Sequence, residues 1–311
     1  MYNPKDIIEA VAANVRKTRG PFGIPKWMDN TWWKKMPLRW EGDALLFTGL
    51  MYQFNPYIEE STKFLEKFED TTLGGFLSGS AKYVPSRLSG IGLAMKTSRK
   101  EKKRANKIVQ DIATLLIKSG VDFFYKPKLD DYSGILLYDL GDQDAFVQHA
   151  NYVAEKLKKA GVKKIITVDP HTTYALKVLY PKVTGETFDV KAYFELINLK
   201  SNNGNGTHVT LHDPCFYGRY LELSEAPRKV LANLGVTVDE VRNSGPFTSC
   251  CGGPAESVSP ALSKEVMERR VDELRSTEAP IVAMCPICLG NLRKSGADVE
   301  DLSSLIAHYA L

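Results

Sequence analysis

A chain of 311 residues is long enough for about two domains, each burying its own core. With 10% aromatic and 25% charged residues the composition is globular, and no apolar run approaches the roughly 20 residues that span a bilayer. A formal net charge of +4 is too weak to argue for nucleic acid without a basic motif, and the N-terminus lacks the apolar core of a signal peptide, so a cytoplasmic protein is expected.

Residues 1–43 hold all four tryptophans, in KWMDNTWWKKMPLRW. Pro21, Pro25 and Pro37 break any long helix, so the segment reads as an N-terminal arm anchored across the body by its aromatics. A surface for docking a partner is the other use of such a cluster. From residue 44 short apolar runs alternate with amphipathic helices. ALLFTG reads as a buried strand, and NPYIEESTKFLEKFE as a helix opened by Asn55 with Pro56 at its first position. KTSRKEKKRANK, residues 96–107, carries seven basic residues and one acid and reads as a solvated helix face, with an acidic docking partner as the sharper alternative. EKKRANKIVQDIATLLIKSG places Ile108, Ile112, Leu115 and Leu116 on one helical face and stops at Gly120. VDFFY, KKIITV, HVTLH and APIVAM read as further buried strands.

Such alternation favours α/β units with parallel sheets and sites at the carboxyl ends of strands. NLKSNNGNGTH, residues 198–208, is a linker by composition, and the halves on its two sides, 44–198 and 207–311, look related. Upstream, a strand runs into Asp-Pro-His-Thr; downstream, a strand runs into Cys-Pro-Ile-Cys. Each half thus carries a strand, then x-Pro-x-x, then a helix. The expected architecture is two similar α/β lobes from an internal duplication, with short parallel sheets flanked by helices.

The cysteines are five, an odd number, and none precedes residue 215. A disulfide framework is unsuited to that pattern, whereas metal binding or redox chemistry in a reducing compartment suits it. Cys215 is followed after 34 residues by the adjacent pair Cys250 and Cys251, and after 33 more by Cys285 and Cys288 in C-x-x-C spacing. Cys215 follows the strand HVTLH and Cys285 ends IVAM, so both reach one edge of a parallel sheet. Neighbouring thiols grip one centre only where the chain turns sharply, and Gly252 and Gly253 permit that turn. One zinc takes four thiolates at most, so five argue for an iron-sulfur assembly, with zinc as the alternative.

The segments LHDPCFYGRYLELSEAPRKVLANLG, SCCGG and CPICLGNL resemble the cysteine-rich CCG domain of the B/D-type catalytic subunits of heterodisulfide reductases. Members of that family usually carry the motif twice. In this chain NVRKTRGPFGIPKW resembles the family's entry segment, ALLFTGLMY its first-cysteine strand and YSGILLYDLGD its C-C-G loop. Where a first copy of the motif would place cysteines stand Leu50, Tyr132, Ser133, Asp169 and Thr172. Gly49, Gly134, Pro170 and His171 remain. The resemblance therefore implies a degenerate, cysteine-free CCG-like domain over 44–198 and one cluster-binding domain over 207–311.

It further implies that Cys215, Cys250, Cys251, Cys285 and Cys288 hold one non-cubane 4Fe-4S cluster used in disulfide or thiol redox chemistry. Electrons would arrive from a ferredoxin-like iron-sulfur subunit, with a flavin-containing subunit as a further partner. A relay or structural subunit without its own catalysis is the second reading, and a zinc-stabilised binding module the third. His212, three residues before Cys215, is a candidate proton donor to a leaving thiolate, and Arg219 a candidate holder of an anionic substrate. His171 reads as a relic beside lost ligands.

Overall fold

The computed structural model describes residues 3–68 and 85–311. Within them eight strands form two sheets of four. In the first, β1 (Ala44–Phe47), β2 (Phe123–Phe124), β3 (Lys164–Thr167) and β4 (Asp189–Ala192) lie in the order β2-β1-β3-β4. In the second, β5 (His208–His212), β6 (Thr237–Val238), β7 (Ile281–Ala283) and β8 (Val299–Asp301) lie in the order β6-β5-β7-β8. Every pairing is parallel, and the two orders are the same once four is added to each strand number. Sequence likeness between the halves thus has a topological counterpart.

Of the central strands β1 and β7 are buried along their whole length, and β3 and β5 expose only their first residues, Lys164 and His208, because helices cover both faces of a parallel sheet. Three strands escape the sequence reading: β4, β6 and β8. Each lies at a sheet edge and is short, and in β4 and β8 charged Asp189, Lys191 and Glu300 take the exposed alternate positions. An edge strand needs only one apolar face, so it leaves little hydrophobic signal.

Two helix expectations need correction. The helix read as opening at Asn55 begins at Met51 and runs to Phe68, with Pro56 inside it. Leu50, at φ 60°, makes the turn that starts it, so the strand-to-helix loop is tighter than the proline suggests. Glu69, the last residue of the expected helix, lies outside the described residues. In the arm, prolines do not prevent a long helix: Pro4–Thr18 is helical, capped by the Asn3 side chain and ended by left-handed Arg19, before Pro21 is reached. This helix rests on the helices Ser86–Lys96 and Gln143–Lys159 of the first lobe. Of the tryptophans, Trp32 is fully buried against Tyr125 while Trp27 and Trp40 stay exposed. Anchoring accounts for part of the cluster only. The basic stretch splits at Ser98, which caps the helix Arg99–Lys118.

The lobes pack through reciprocal elements. The helix Pro286–Lys294 lies on Met51–Phe68, and the turn Pro170–Tyr174 lies on Phe216–Tyr220. Gly290 allows the first contact, since a Cβ there would stand 2.8 Å from both Asn55 Oδ1 and Glu59 Oε1. Polar groups tie the seam: Tyr52 donates to Asp301 Oδ2 at 2.6 Å, and Thr62 donates to Glu256 Oε2 at 2.9 Å. Tyr52→Phe strips the buried Asp301 carboxylate of that donor, an exchange that costs about 1 to 3 kcal/mol. Its urea unfolding midpoint should fall accordingly, and an unchanged midpoint would mean the seam does not contribute to stability.

Candidate metal centre

Parallel register sets the edge on which the site forms. His212 pairs with Ala283, so the residues that follow β5 and β7 leave the sheet side by side. Cys215 follows β5 after Asp213-Pro214, and Cys285 takes the extended N-cap position of the helix whose first residue is Pro286. Cys288 lies one turn further along that helix. Cys250 and Cys251 come in from the loop before the short helix Gly253–Ser257.

The loop needs its glycines. Gly252 has φ +81°, and a Cβ there would stand 2.5 Å from the Ser263 carbonyl oxygen. At Gly253 a Cβ would stand 2.2 Å from Ile287 Cγ2 and 3.4 Å from Cys251 Sγ. Asn291 fixes the pair from the neighbouring helix by donating to the Cys251 carbonyl at 2.5 Å.

All five thiols are free, and they converge. Cys251 and Cys288 group with His212 within 4.8 Å, Cys250 and Cys285 lie close enough to shift their acidities, and Cys215 feels the charge of Cys251 and Cys285. Cys251, Cys285 and Cys288 are buried, while Cys215 and Cys250 are half-buried and form the open edge.

Their acidities split. Donation from Cys250, then from Cys288, holds Cys251 well below the ordinary thiol range, and the same contact pushes Cys250 up. Cys288 is pushed up by its contacts with Cys251 and Cys285. Burial would raise Cys285, but Cys288 and the His171 imidazole outweigh it and bring the thiol down to about 7. Cys215 is raised by burial, against which the charges of His171 and Arg219 work. A cluster of sulfurs in which some ionise only by suppressing others is a donor set that lacks positive charge, and a thiophilic metal supplies it. Five thiolates around one point fit an iron-sulfur group or, using four, zinc.

Two histidines flank the sulfurs. His212 is fully buried, accepts from Arg270 Nε at Nδ1 over 3.1 Å, and groups with Cys251 and Cys288 so that the three donor atoms lie within 4.8 Å of one another. His171, read from sequence as a relic, lies against Cys285 from the other lobe, with its Nδ1 3.3 Å from Asp139 Oδ2 and its ring on Phe216 at 4.7 Å. The degenerate half therefore contributes a side chain to the sulfur site. Arg219 is exposed near Cys215, on the open edge, whereas His212 is sealed inside.

Arg270 escaped the sequence reading. It sits in helix Pro260–Arg275 on the face that buries Met267, Val271 and Leu274. A charge on an apolar helical stripe was the available signal, since such a residue is retained only when paired.

In the first lobe the corresponding space is filled. Gly134 has φ +87° and starts a helix as Gly252 does, so Tyr132 and Ser133 occupy the places of Cys250 and Cys251. The Tyr132 ring packs between Phe54 and His149 at 5.7 and 5.5 Å, and its hydroxyl accepts from Leu136 N–H. Asp169 holds the N-cap place of Cys285 and accepts from the backbone N–H of Thr172, which stands where Cys288 does. Among the described residues, no grouping of three or more histidine, cysteine or acidic side chains suited to a metal ion falls in this lobe.

Residues 209–293 match the sequence profile of the CCG cysteine-rich domain. Over 225 residues the chain is 29% identical to a probable membrane-anchored ferredoxin of Chromohalobacter salexigens, covering 66% of this chain and 34% of that one. It is 30% identical over 203 residues to an EtfAB:quinone oxidoreductase of Syntrophomonas wolfei, covering 60% of this chain and 28% of that one. It is 28% identical over 337 residues to a subunit of the dihydromethanophenazine:CoB–CoM heterodisulfide reductase of Methanosarcina mazei, covering 98% of this chain and 73% of that one. The chain thus spans about a third of the length of the first two relatives. No helix among the described residues is long and apolar enough to cross a membrane.

The raised acidity of Cys285 has a pH signature. Stability gained from its thiolate is present above the ordinary thiol range and is lost as pH falls through about 7. In the metal-free protein, ultraviolet thiolate absorbance should contain a step near that pH which Cys285→Ser removes and His171→Gln moves upward. A step that survives Cys285→Ser would assign it to another sulfur.

Proposed function

We propose that this chain, whose C-terminal lobe is a CCG cysteine-rich domain, is an iron-sulfur subunit of a heterodisulfide reductase-like complex. It carries one non-cubane 4Fe-4S cluster held by Cys215, Cys250, Cys251, Cys285 and Cys288. The observation that carries this reading is the convergence of all five free thiols at one sheet edge. The space opposite, filled by Tyr132, supports one cluster per chain and not two.

When bound, such a cluster supplies electrons one at a time and a metal that accepts thiolate sulfur. The net reaction takes one disulfide, two electrons and two protons to two thiols, or runs in reverse. The chain's own residues prepare for it as follows. Half-buried Cys215 and Cys250 leave one edge open to a sulfur substrate. Arg219, exposed beside that edge, holds a substrate's anionic end. Phe216, Tyr174 and Tyr220 stack there with ring centroids 4.8 to 5.6 Å apart and give the edge an apolar wall.

All five cysteines are engaged at one site, so electrons reach it from clusters outside this chain. A ferredoxin-like iron-sulfur subunit is the proposed donor or acceptor, with a flavin-containing subunit beyond it. Five unpaired thiols accord with a reducing, cytoplasmic setting.

The test is protein purified without oxygen and assayed for iron, acid-labile sulfide and zinc, with EPR of the oxidised and thiol-treated forms. About four irons per chain are expected, with a paramagnetic signal that thiol alters and Cys251→Ser abolishes. Zinc without sulfide would replace this reading by a structural metal site.

A further inference from the structure

The Arg270 side chain is wholly removed from solvent and is tied down on every side. Its Nη1 donates to the Asn243 carbonyl at 2.9 Å and to Glu273 Oε2 at 2.7 Å, and Nη2 approaches Thr248 Oγ1 at 3.4 Å. Nε donates to His212 Nδ1 at 3.1 Å.

A guanidinium has hydrogens to give and no lone pair to accept with. His212 Nδ1 is therefore the acceptor, and the neutral ring keeps its single proton on Nε2. That nitrogen is buried and makes no hydrogen bond among the described residues, while the donor atoms of His212, Cys251 and Cys288 lie within 4.8 Å of one another. With Nδ1 turned to Arg270, Nε2 is the nitrogen that faces Cys251 and Cys288.

Resting on the cluster reading above, we propose that Arg270 is a positioning residue that locks His212 as an Nε2–H donor to the Cys251 and Cys288 sulfurs. His212 is then a hydrogen-bond donor beside the metal and not one of its ligands. A histidine that binds metal keeps its proton on the other nitrogen and gives it to an acceptor, and Arg270 denies Nδ1 that role. Electron-rich sulfurs gain most from an N–H donor when the group they bind is reduced, so the pair raises the reduction potential.

Holoprotein purified without oxygen is compared as wild type, His212→Leu, His212→Gln and Arg270→Gln. Metal content, reduction potential by EPR-monitored titration, and nitrogen hyperfine coupling after labelling histidine with 15N are measured. His212→Leu should keep its metal and shift the one-electron equilibrium about tenfold toward the oxidised form, which is about 59 mV more negative. His212→Gln, whose amide can donate, should recover part of the shift, and Arg270→Gln should move the potential in the same direction as His212→Leu. The wild type should lack the strong coupling of a directly bonded nitrogen.

Loss of metal from His212→Leu to the level of Cys251→Ser, or a directly bonded nitrogen, would make His212 a ligand and overturn the proposal. An unchanged potential in His212→Leu would overturn it too. If Arg270→Gln does not fold, the two His212 variants still decide. Zinc in the wild type would sink the cluster reading alone, because retention of zinc by His212→Leu still reports whether His212 is a ligand.

Discussion

Bringing five sulfurs to one buried edge is the constraint around which the second lobe is organised. Each thiolate discourages the next, and the outcome without a metal is visible in the alternation of lowered Cys251 and Cys285 with raised Cys250 and Cys288. Local cations soften this but do not cancel it. His171 reaches in from the first lobe and Arg219 from the open edge. Residual negative charge in a mostly apolar pocket is what a metal assembly neutralises, and what makes its binding a large contribution to the folding of this lobe.

The first lobe shows what the same scaffold does when that constraint is lifted. Its sheet order and its left-handed glycine are retained, and so is the strand-to-helix turn through x-Pro. At two of the ligand positions an aromatic ring fills volume and a carboxylate caps its own helix. Asp169 in place of a cysteine is instructive, because one carboxylate oxygen is taken up by the backbone N–H of Thr172, a capping role that needs no metal. What the lobe lost in ligands it kept as surface. It packs against the second lobe through Met51–Phe68 and supplies His171 beside the buried Cys285.

Much of this was legible in the sequence, for reasons that differ between elements. Central strands such as ALLF and HVTLH announced themselves by apolar runs that only a doubly covered sheet can bury, and the repeated x-Pro turn exposed the duplication. The cysteines were legible because clustered thiols beside glycine and proline have few other uses. Three of the four edge strands were not, since two to four residues with at most one buried face carry almost no pattern. The start of the helix at Met51 was hidden by an Asn-Pro pair that imitates an N-terminus four residues late. The roles of His171 and Arg270 were harder to read for a different reason: they come from contacts across 114 and 58 residues of chain, to Cys285 and to His212, that no local spacing encodes, although a charge on an apolar helical stripe marked Arg270 as paired.

The arrangement of burial also divides the labour at the site. His212 and Arg270 lie on the closed side, where a fixed hydrogen bond acts on the sulfurs but no substrate arrives. Cys215, Cys250 and Arg219 lie on the open side, where charge and access meet but little is fixed. A group that only relayed electrons would gain from being enclosed on all sides, since solvent reorganisation slows transfer. The half-buried edge with its aromatic wall is a feature that the proposed sulfur chemistry would use and that a relay does not need.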